Sequence, residues 1–442
     1  MLSRAEYNYD NKYYASASFR RDGSSKLGPE SRWGNFWSVA GSWRIDQEGF
    51  MDDVPVISSL RLRASYGVNG TLPTSNYGWR SLTSYANKYM EQPGSSVSSI
   101  ADADLSWETS YTSNVALEFG ILDQRLTGSL EFFNRNSKNL LQDVPLSRVT
   151  GFYTTLDNVG EINNRGLEFE LYGDIMKAGG FTWSAGLTAS HVKSTVTRLY
   201  GGQDIIWYEP TGDDARTKFI YTEGESTLAI YGLEWAGVER ETGLNLWFLN
   251  NDSEPDLIVD GRPATYDYSN ADEVLLGDAH PKLFGGYNTD LSWKGISLSL
   301  NFIYKLGGYT YDAAGRDIND DGYYWERIMS LDAYENRWTP LNKDAKYPQR
   351  VAVDFEDVNQ KSSRHMHPAD FTRLKSITLG YNLPNELLSK VKLSGARIYF
   401  NGANLWTLAA YKVYDPEVNE FGSRGWEMPI GKTYTFGIEA SF

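Results

Sequence analysis

Apolar and polar residues alternate with a period of two along most of this 442-residue chain. In the segments 126–132, 296–302 and 434–442 the even-numbered residues are apolar or small, and the residues between them are mostly polar. This alternation is typical of β-strands with one apolar and one polar face, because successive side chains of a strand point to opposite sides. The chain is therefore predicted to be all-β.

The alternation predicts fifteen strands, several of them longer than the usual five or six residues. Short and long connections follow one another between these strands, and the long ones span about 69–105, 139–161, 199–226, 251–280, 307–369 and 411–430. Such loops would be unusual in a compact soluble domain, whereas outer-membrane barrels have short periplasmic turns and long external loops. The predicted strands are 3–9, 12–21, 33–46, 59–68, 106–120, 125–138, 162–174, 181–198, 227–239, 244–250, 281–293, 296–306, 370–383, 395–410 and 431–442.

Composition supports a transmembrane antiparallel β-barrel. Aromatic residues make up 14% of the chain and there are 41 glycines, yet no apolar stretch is long enough for a membrane helix. The formal net charge of −15 argues against a nucleic-acid partner, and the absence of cysteine excludes disulfides and thiolate metal sites. We therefore expect a chain that contacts the lipid bilayer of the outer membrane.

One acidic segment matches the first half of a calcium-binding loop. Asp317, Asn319 and Asp321 would supply oxygen ligands at alternate positions, and Gly322 would allow the turn. The twelfth position of that loop is Ile328 instead of glutamate, so the alternative is an acidic turn in an external loop. No other cofactor is predicted.

Aromatic residues in the long loops are candidates for ligand contact, since their rings can stack on sugars or apolar ligand groups. The alternative for each of them is packing within the loops or at the membrane interface. No nucleophile elbow and no phosphate-binding glycine motif is present, so an enzyme is not expected. The ligand-contact candidates are Trp207, Tyr208, Tyr323, Tyr324, Trp325 and Trp338.

Several residue runs resemble one family of bacterial outer-membrane proteins. Residues 13–25 read YYASASFRRDGSS, residues 158–168 read NVGEINNRGLE, and residues 370–381 read DFTRLKSITLGY. In this order, and with 60–67, 281–286 and 336–340, the runs resemble the SusC-like (SusC/RagA) TonB-dependent transporters of Bacteroidota. The resemblance covers essentially the whole chain but only the C-terminal part of the family.

This resemblance implies about 15 of roughly 22 barrel strands, with the plug, the N-terminal extension and the first strands absent from residues 1–442. It implies import of glycan or peptide oligomers, a SusD-like lipoprotein lid, and coupling to TonB through the missing N-terminal part. A passive porin-like or structural barrel is the alternative. Phe442 resembles the terminal signal for barrel insertion. We also expect that residues 1–442 alone do not form a stable transporter, because orphan strand edges are costly in lipid.

Overall fold

The computed structural model describes residues 1–209, 217–319, 321–322, 329–352, 359–419 and 421–442. Its dominant element is one thirteen-stranded antiparallel sheet in which every strand pairs with its neighbours along the sequence. No helix among these residues is long and apolar enough to cross a membrane. The sheet strands are β1 (Leu2–Tyr9), β2 (Tyr13–Gly23), β3 (Trp33–Arg44), β4 (Ile57–Thr71), β5 (Glu108–Ile121), β6 (Leu126–Pro145), β7 (Thr154–Ala178), β8 (Phe181–Arg198), β9 (Leu283–Trp293), β10 (Ile296–Leu306), β11 (Phe371–Asn382), β12 (Gly395–Ala409) and β13 (Thr433–Ser441).

Strand register divides the sheet into a polar and an apolar face, because directly paired residues lie on the same side. Arg63 of β4 pairs with Ser42 of β3 and Ala116 of β5, and Ala116 pairs in turn with Glu131 of β6. Two cavities, of about 500 and 690 Å³, open mainly on this polar face, which is therefore the concave side. From β1 to β13 the polar face carries Glu6, Ser16, Ser42, Arg63, Asn114, Glu131, Glu168, Ser190, Asn288, Asn301, Ser376, Asn401 and Thr435.

The opposite face is apolar across the sheet, as the alternation predicts. Leu130 pairs with Leu117, and Phe436 pairs with Phe400. Phe436 is 78% exposed, so no residue that the structure describes covers this face at the edge formed by β13. The residues predicted to point outward all share this face, namely Leu126, Leu130, Phe132, Leu298, Leu300, Phe302, Phe436 and Ile438.

The connections mostly alternate in length, as predicted, although the turns 45–56 and 383–394 are longer than the loops 24–32 and 146–153. One end of the sheet has the turns 10–12, 45–56, 122–125, 179–180, 294–295 and 383–394, and the other has the loops 24–32, 72–107, 146–153, 199–282, 307–370 and 410–432. The two-residue turns Gly179-Gly180 and Lys294-Gly295 have positive φ at both residues, which suits the right-handed twist of the strands they join. The 10–12 turn uses Asp10 and Asn11 in the same backbone region.

The prediction that residues 227–239 and 244–250 form barrel strands is wrong. Residues 227–239 and 244–250 instead form short strands in two separate four-stranded sheets inside the loop 199–282. Because they are removed as a pair, the order of short and long connections is unchanged. The short strands of this loop are Ile205–Tyr208, Lys218–Tyr221, Ala229–Gly232 and Val274–Asp278 in one sheet, and Trp235–Val238, Asn245–Phe248, Leu257–Val259 and Arg262–Thr265 in the other.

The remaining regular elements are short and lie mostly in the loops. A three-stranded sheet contains Tyr309–Asp312, Met366–Pro368 and Ser423–Arg424, and the two-stranded pairs of loop 72–107 are Thr83–Ser84 with Ser96–Val97 and Lys88–Tyr89 with Gln92–Pro93. The α-helices are α1 (Ala313–Ile318), α2 (Leu331–Asn336) and α3 (Asn385–Leu388). The 3₁₀ turns are Ile45–Gln47, Gly49–Met51, Arg148–Thr150, Tyr200–Gly202, Tyr268–Asn270, Ser363–His365 and Ser389–Val391.

The two faces of the sheet predict that arginine at two neighbouring positions of β10 will affect stability very differently. Leu300→Arg places a guanidinium on the apolar face and should destabilise the membrane-inserted protein by roughly 2–4 kcal/mol if the site is near the bilayer centre. Ser299→Arg points to the polar face, where Asp290 pairs with this position. Unfolding in lipid vesicles and outer-membrane abundance measure both variants of the full-length protein. Equal effects of the two would contradict the assignment of faces.

Candidate functional site

Three long loops at one end of the sheet, 199–282, 307–370 and 410–432, associate with one another. Tyr311 of the second loop pairs in parallel with Ser423 of the third. Leu233 of the first loop forms a parallel bridge with Ser362 of the second. The Asn419 amide donates a hydrogen bond to the Glu209 carboxylate, which joins the third loop to the first. We call this assembly the loop cap.

A buried ion pair lies at the centre of the loop cap. Nη1 of Arg424 is 2.8 and 2.7 Å from the two carboxylate oxygens of Asp312, and both side chains are at least nine-tenths buried. The Tyr411 hydroxyl donates a further hydrogen bond to Asp312, and the Tyr414 ring lies 3.6 Å from the Arg424 guanidinium carbon. Asp312 also caps α1 by accepting from the Gly315 amide at 2.7 Å. The carboxylate is thereby compensated by both charge and hydrogen bonds, as burial requires.

Aromatic and histidine rings pack around this ion pair in uncharged form. Burial, together with the nearby charge of Asp312, raises the pKa of Tyr411, so the phenol keeps the proton that it donates. The imidazole of His367 stacks on the Tyr411 ring with centroids 3.9 Å apart, and burial lowers its pKa. Burial lowers the pKa of His365 well below its usual range, and its ring bonds the Asn359 side chain at 3.0 Å. The histidines are therefore structural in this arrangement.

A second ion cluster fastens the loop 410–432 to the wall of the sheet. Arg373 of β11 lies on the polar face, is almost fully buried, and pairs with Asp415 and with Glu417 at 2.7 Å. The Lys375 ammonium lies 2.9 Å from the other oxygen of Glu417. Both carboxylates belong to the loop and both cations to β11. These ion pairs fix the position of the loop 410–432 relative to strand β11 of the barrel wall.

The residues of the predicted calcium loop have other partners. Arg364 holds Asp321 in a two-pronged ion pair, and Asn245 donates to the same carboxylate. The Asn319 side chain accepts from the Ser330 hydroxyl at 2.8 Å. Asp317 belongs to helix α1, and residues 320 and 323–328 of the predicted loop lie outside the described residues. The described residues contain no cluster of three or more histidine or acidic side chains suited to a metal. Calcium binding by this loop stays a prediction.

Two of the predicted ligand-contacting aromatics pack within the loop cap. The Trp207 ring stacks on Phe219 with centroids 4.6 Å apart and meets Phe421 of the third loop edge-on. Nε1 of Trp338 donates to the Arg240 carbonyl at 2.9 Å, and its ring covers Gly243 so closely that a Cβ there would clash at 2.4 Å. These contacts favour the alternative of loop packing for both tryptophans.

Among the predicted ligand-contacting aromatics that the structure describes, Tyr208 has an exposed ring. It is 52% exposed because it alternates with the packed Trp207 along its short strand, and the Lys361 ammonium lies 4.7 Å from its ring centre. Its ligand contact stays a prediction. Tyr323, Tyr324 and Trp325 lie outside the described residues. Phe442 is 97% exposed directly after β13, and its role in assembly also stays a prediction.

The concave wall below the cap carries charge clusters that are only partly buried. Nε of Arg63 is 2.6 Å from Glu118, and its Nη2 is 3.6 Å from Glu131. Glu168 pairs across the ladder with Glu131, which places further negative charge beside them. Such a wall is polar and solvated, as the lumen of a barrel is.

Sequence reasoning missed the residues that assemble the cap. Asp312 and Arg424 are 112 positions apart, and no local pattern connects them. Arg373 does lie in the run 370–381 that carries the family resemblance, which is the one available signal. Its partners Asp415 and Glu417 carry none.

Comparison with known proteins identifies the architecture. Residues 3–405 match the family model described as "TonB dependent receptor-like, beta-barrel". The chain belongs to this family. The SusC/RagA-like resemblance of the sequence is also confirmed by the relatives that follow.

The chain is similar over its full length to TonB-dependent receptor P3 of Formosa agariphila, at 29% identity, and to TonB-dependent receptor SusC of Bacteroides thetaiotaomicron, at 26%. It also superposes over its full length on a solved structure of the RagAB peptide transporter, with a TM-score of 0.85 and 29% identity. The chain spans only 45%, 43% and 47% of these three proteins, respectively.

Membership of this family gives the two faces of the sheet their meaning. The barrel lies in the outer membrane, the apolar face meets lipid, and the polar face meets the lumen. The family consists of transport receptors and not of enzymes, which agrees with the expectation from sequence. The loop cap then stands at the external end, because long loops of such barrels are outside the cell.

The central ion pair yields a prediction about the loop cap. Arg424→Met in the full-length protein leaves the Asp312 carboxylate buried and unpaired, which should destabilise the cap locally by roughly 3–5 kcal/mol. External protease should therefore cleave loops 307–370 and 410–432 faster, since cleavage follows the opened population. Arg240→Met is the matched control, because its pair with Asp344 is exposed on both sides and should contribute little. Unchanged cleavage in Arg424→Met would contradict a role for this pair.

Proposed function

We propose that this barrel is part of a TonB-dependent importer of oligomeric nutrients. The observation that carries the proposal is the full-length superposition on the RagAB peptide transporter, with a TM-score of 0.85 at 29% identity. Family membership supports the same function. The loop cap is consistent with it, because a surface assembled before ligand arrives loses less entropy on binding.

The substrate in this proposal is an oligomer of amino acids or sugars that meets the external end of the barrel. Tyr208 contributes an exposed ring beside the Lys361 ammonium, which suits stacking on a sugar or an apolar side chain. The solved structure on which the chain superposes is that of a peptide transporter, RagAB, which supports peptides as one class of substrate. Glycan is the other class, and the resemblance to SusC-like transporters supports it.

Two partners complete the proposal. A SusD-like lipoprotein would close over the loop cap, as the resemblance to SusC/RagA-like transporters implies. TonB would act through parts of the protein beyond residues 1–442. A passive porin-like barrel remains the competing function, and it requires neither partner.

The proposal is tested by the full-length protein in its outer membrane. After mild detergent extraction, mass spectrometry should identify a bound peptide or glycan, and that oligomer, labelled, becomes the uptake probe. Cells should accumulate it only when TonB is present. Accumulation that continues without TonB would support the porin alternative.

The proposed contact of Tyr208 with the ligand can be tested separately by measuring binding. Tyr208→Ala should weaken binding of the identified oligomer about three- to tenfold, the size expected for loss of one aromatic contact. Tyr153→Ala is the control, because that ring is 76% exposed on the separate loop 146–153. Surface abundance should be unchanged in both. Equal binding by the two variants would remove Tyr208 from the site while leaving the import proposal intact.

A further inference from the structure

A cavity of about 500 Å³ opens at the external end of β12, and Arg373 and Asp415 of the second ion cluster form part of its wall. It forms because the ladder between β12 and β13 ends at the pair Ala403–Thr433, while β12 continues to Ala409. The chain leaving loop 410–432 covers part of this unpaired stretch, where the Asn404 amide donates to the Gly431 carbonyl at 3.2 Å. Lys412 and Lys432 both line the cavity, which we call the Lys412–Lys432 notch.

The notch is positively charged in a chain of net charge −15. Asp415 is the carboxylate that lines it, and both of its oxygens are engaged, one by Arg373 and the other by the Ile430 amide at 3.0 Å. Neither Lys412 nor Lys432 forms an ion pair with another residue that the structure describes, and both are exposed. Two uncompensated ammonium groups therefore share one small cavity.

Apolar side chains continue from the notch onto the lipid-facing side of the sheet. Leu408 lines the cavity and is 59% exposed. Trp406, two residues before it, is 48% exposed and pairs with Leu374 on the apolar face. Ile430 forms the opposite wall of the notch. Cations thus stand directly above the end of the lipid-facing surface.

We propose that the Lys412–Lys432 notch binds the phosphorylated headgroup of a lipid in the outer leaflet. The two ammonium groups would contact headgroup phosphate, and the acyl chains would lie against Leu408 and Trp406. Lysines near a membrane surface attract anionic lipid by about 1 kcal/mol each, and their aliphatic stems pack along apolar surface. Continuity with the lipid-facing side favours a lipid over a soluble anion, which would gain nothing from Leu408 and Trp406.

The site is separate from the proposed transport function and does not depend on it. No residue of the notch belongs to the predicted ligand contacts, and lipid binding can be measured without uptake. Failure of one proposal therefore leaves the other standing.

Native mass spectrometry of the full-length protein in detergent tests the notch, with bis-phosphorylated lipid A as the probe. The unmodified protein should bind this probe about thirtyfold more tightly than the dephosphorylated form, because both ammonium–phosphate contacts are lost with the phosphates. The double variant Lys412→Gln, Lys432→Gln should bind the probe about thirtyfold more weakly, from two contacts of about 1 kcal/mol each. The variant Lys412→Arg, Lys432→Arg keeps both charges and should retain binding.

The control removes the same two charges at the opposite end of the barrel. Lys390 and Lys392 are exposed in the turn 383–394, and replacing both with Gln should leave lipid affinity unchanged. Heat-modifiable migration checks that each variant folds, and the single notch variants, each expected to lose about fivefold, carry the test if the double variant folds poorly. Equal binding of dephosphorylated lipid, an equal loss in the control, or tighter notch-dependent binding of soluble oligogalacturonate would overturn the proposal.

Discussion

Neighbour-to-neighbour antiparallel pairing is the constraint on which this molecule depends. In hydrocarbon every backbone N–H and C=O needs a partner within the protein, and a continuous ladder supplies them without side chains. The ladder also forces paired residues onto a common face. Thirteen strands paired in sequence order therefore need only a period of two to build a lipid-facing and a lumen-facing surface at once. The loops are then free to carry features that the wall cannot.

Most of the barrel could be predicted from sequence because its signal is local. Each wall strand meets lipid on one side and polar lumen on the other, so the environment imposes alternation residue by residue. The segments 227–239 and 244–250 form strands too, but their apolar residues pack inside the loop, around Phe219 and around Trp247. Periodicity reports that one face is buried and does not say whether lipid or protein covers it. Their pairing partners, which decide the sheet, lie in other parts of the same loop.

The loop cap could not be predicted, since its contacts join residues far apart in sequence. Asp312 and Arg424 are each ordinary polar loop residues until the fold buries them together. The aromatic candidates show the same limit. Neighbouring Trp207 and Tyr208 look equivalent in sequence, yet strand alternation buries one ring against Phe219 and exposes the other. The sequence shows which loops are rich in aromatic residues. Only the tertiary structure shows which of these rings are packed and which are exposed.

Ion pairs have different roles in the wall and in the cap. Arg63, Glu118 and Glu131 remain partly exposed on the lumen face, where solvent screens them and their contribution to stability is small. The pairs Arg424–Asp312 and Arg373–Asp415 are buried, so their desolvation is tolerated only in one geometry. A buried pair between two loops therefore favours one arrangement of those loops strongly over others. Arg373 belongs to a strand of the barrel wall, so its ion pair with Asp415 fixes the position of the loop cap above the lumen.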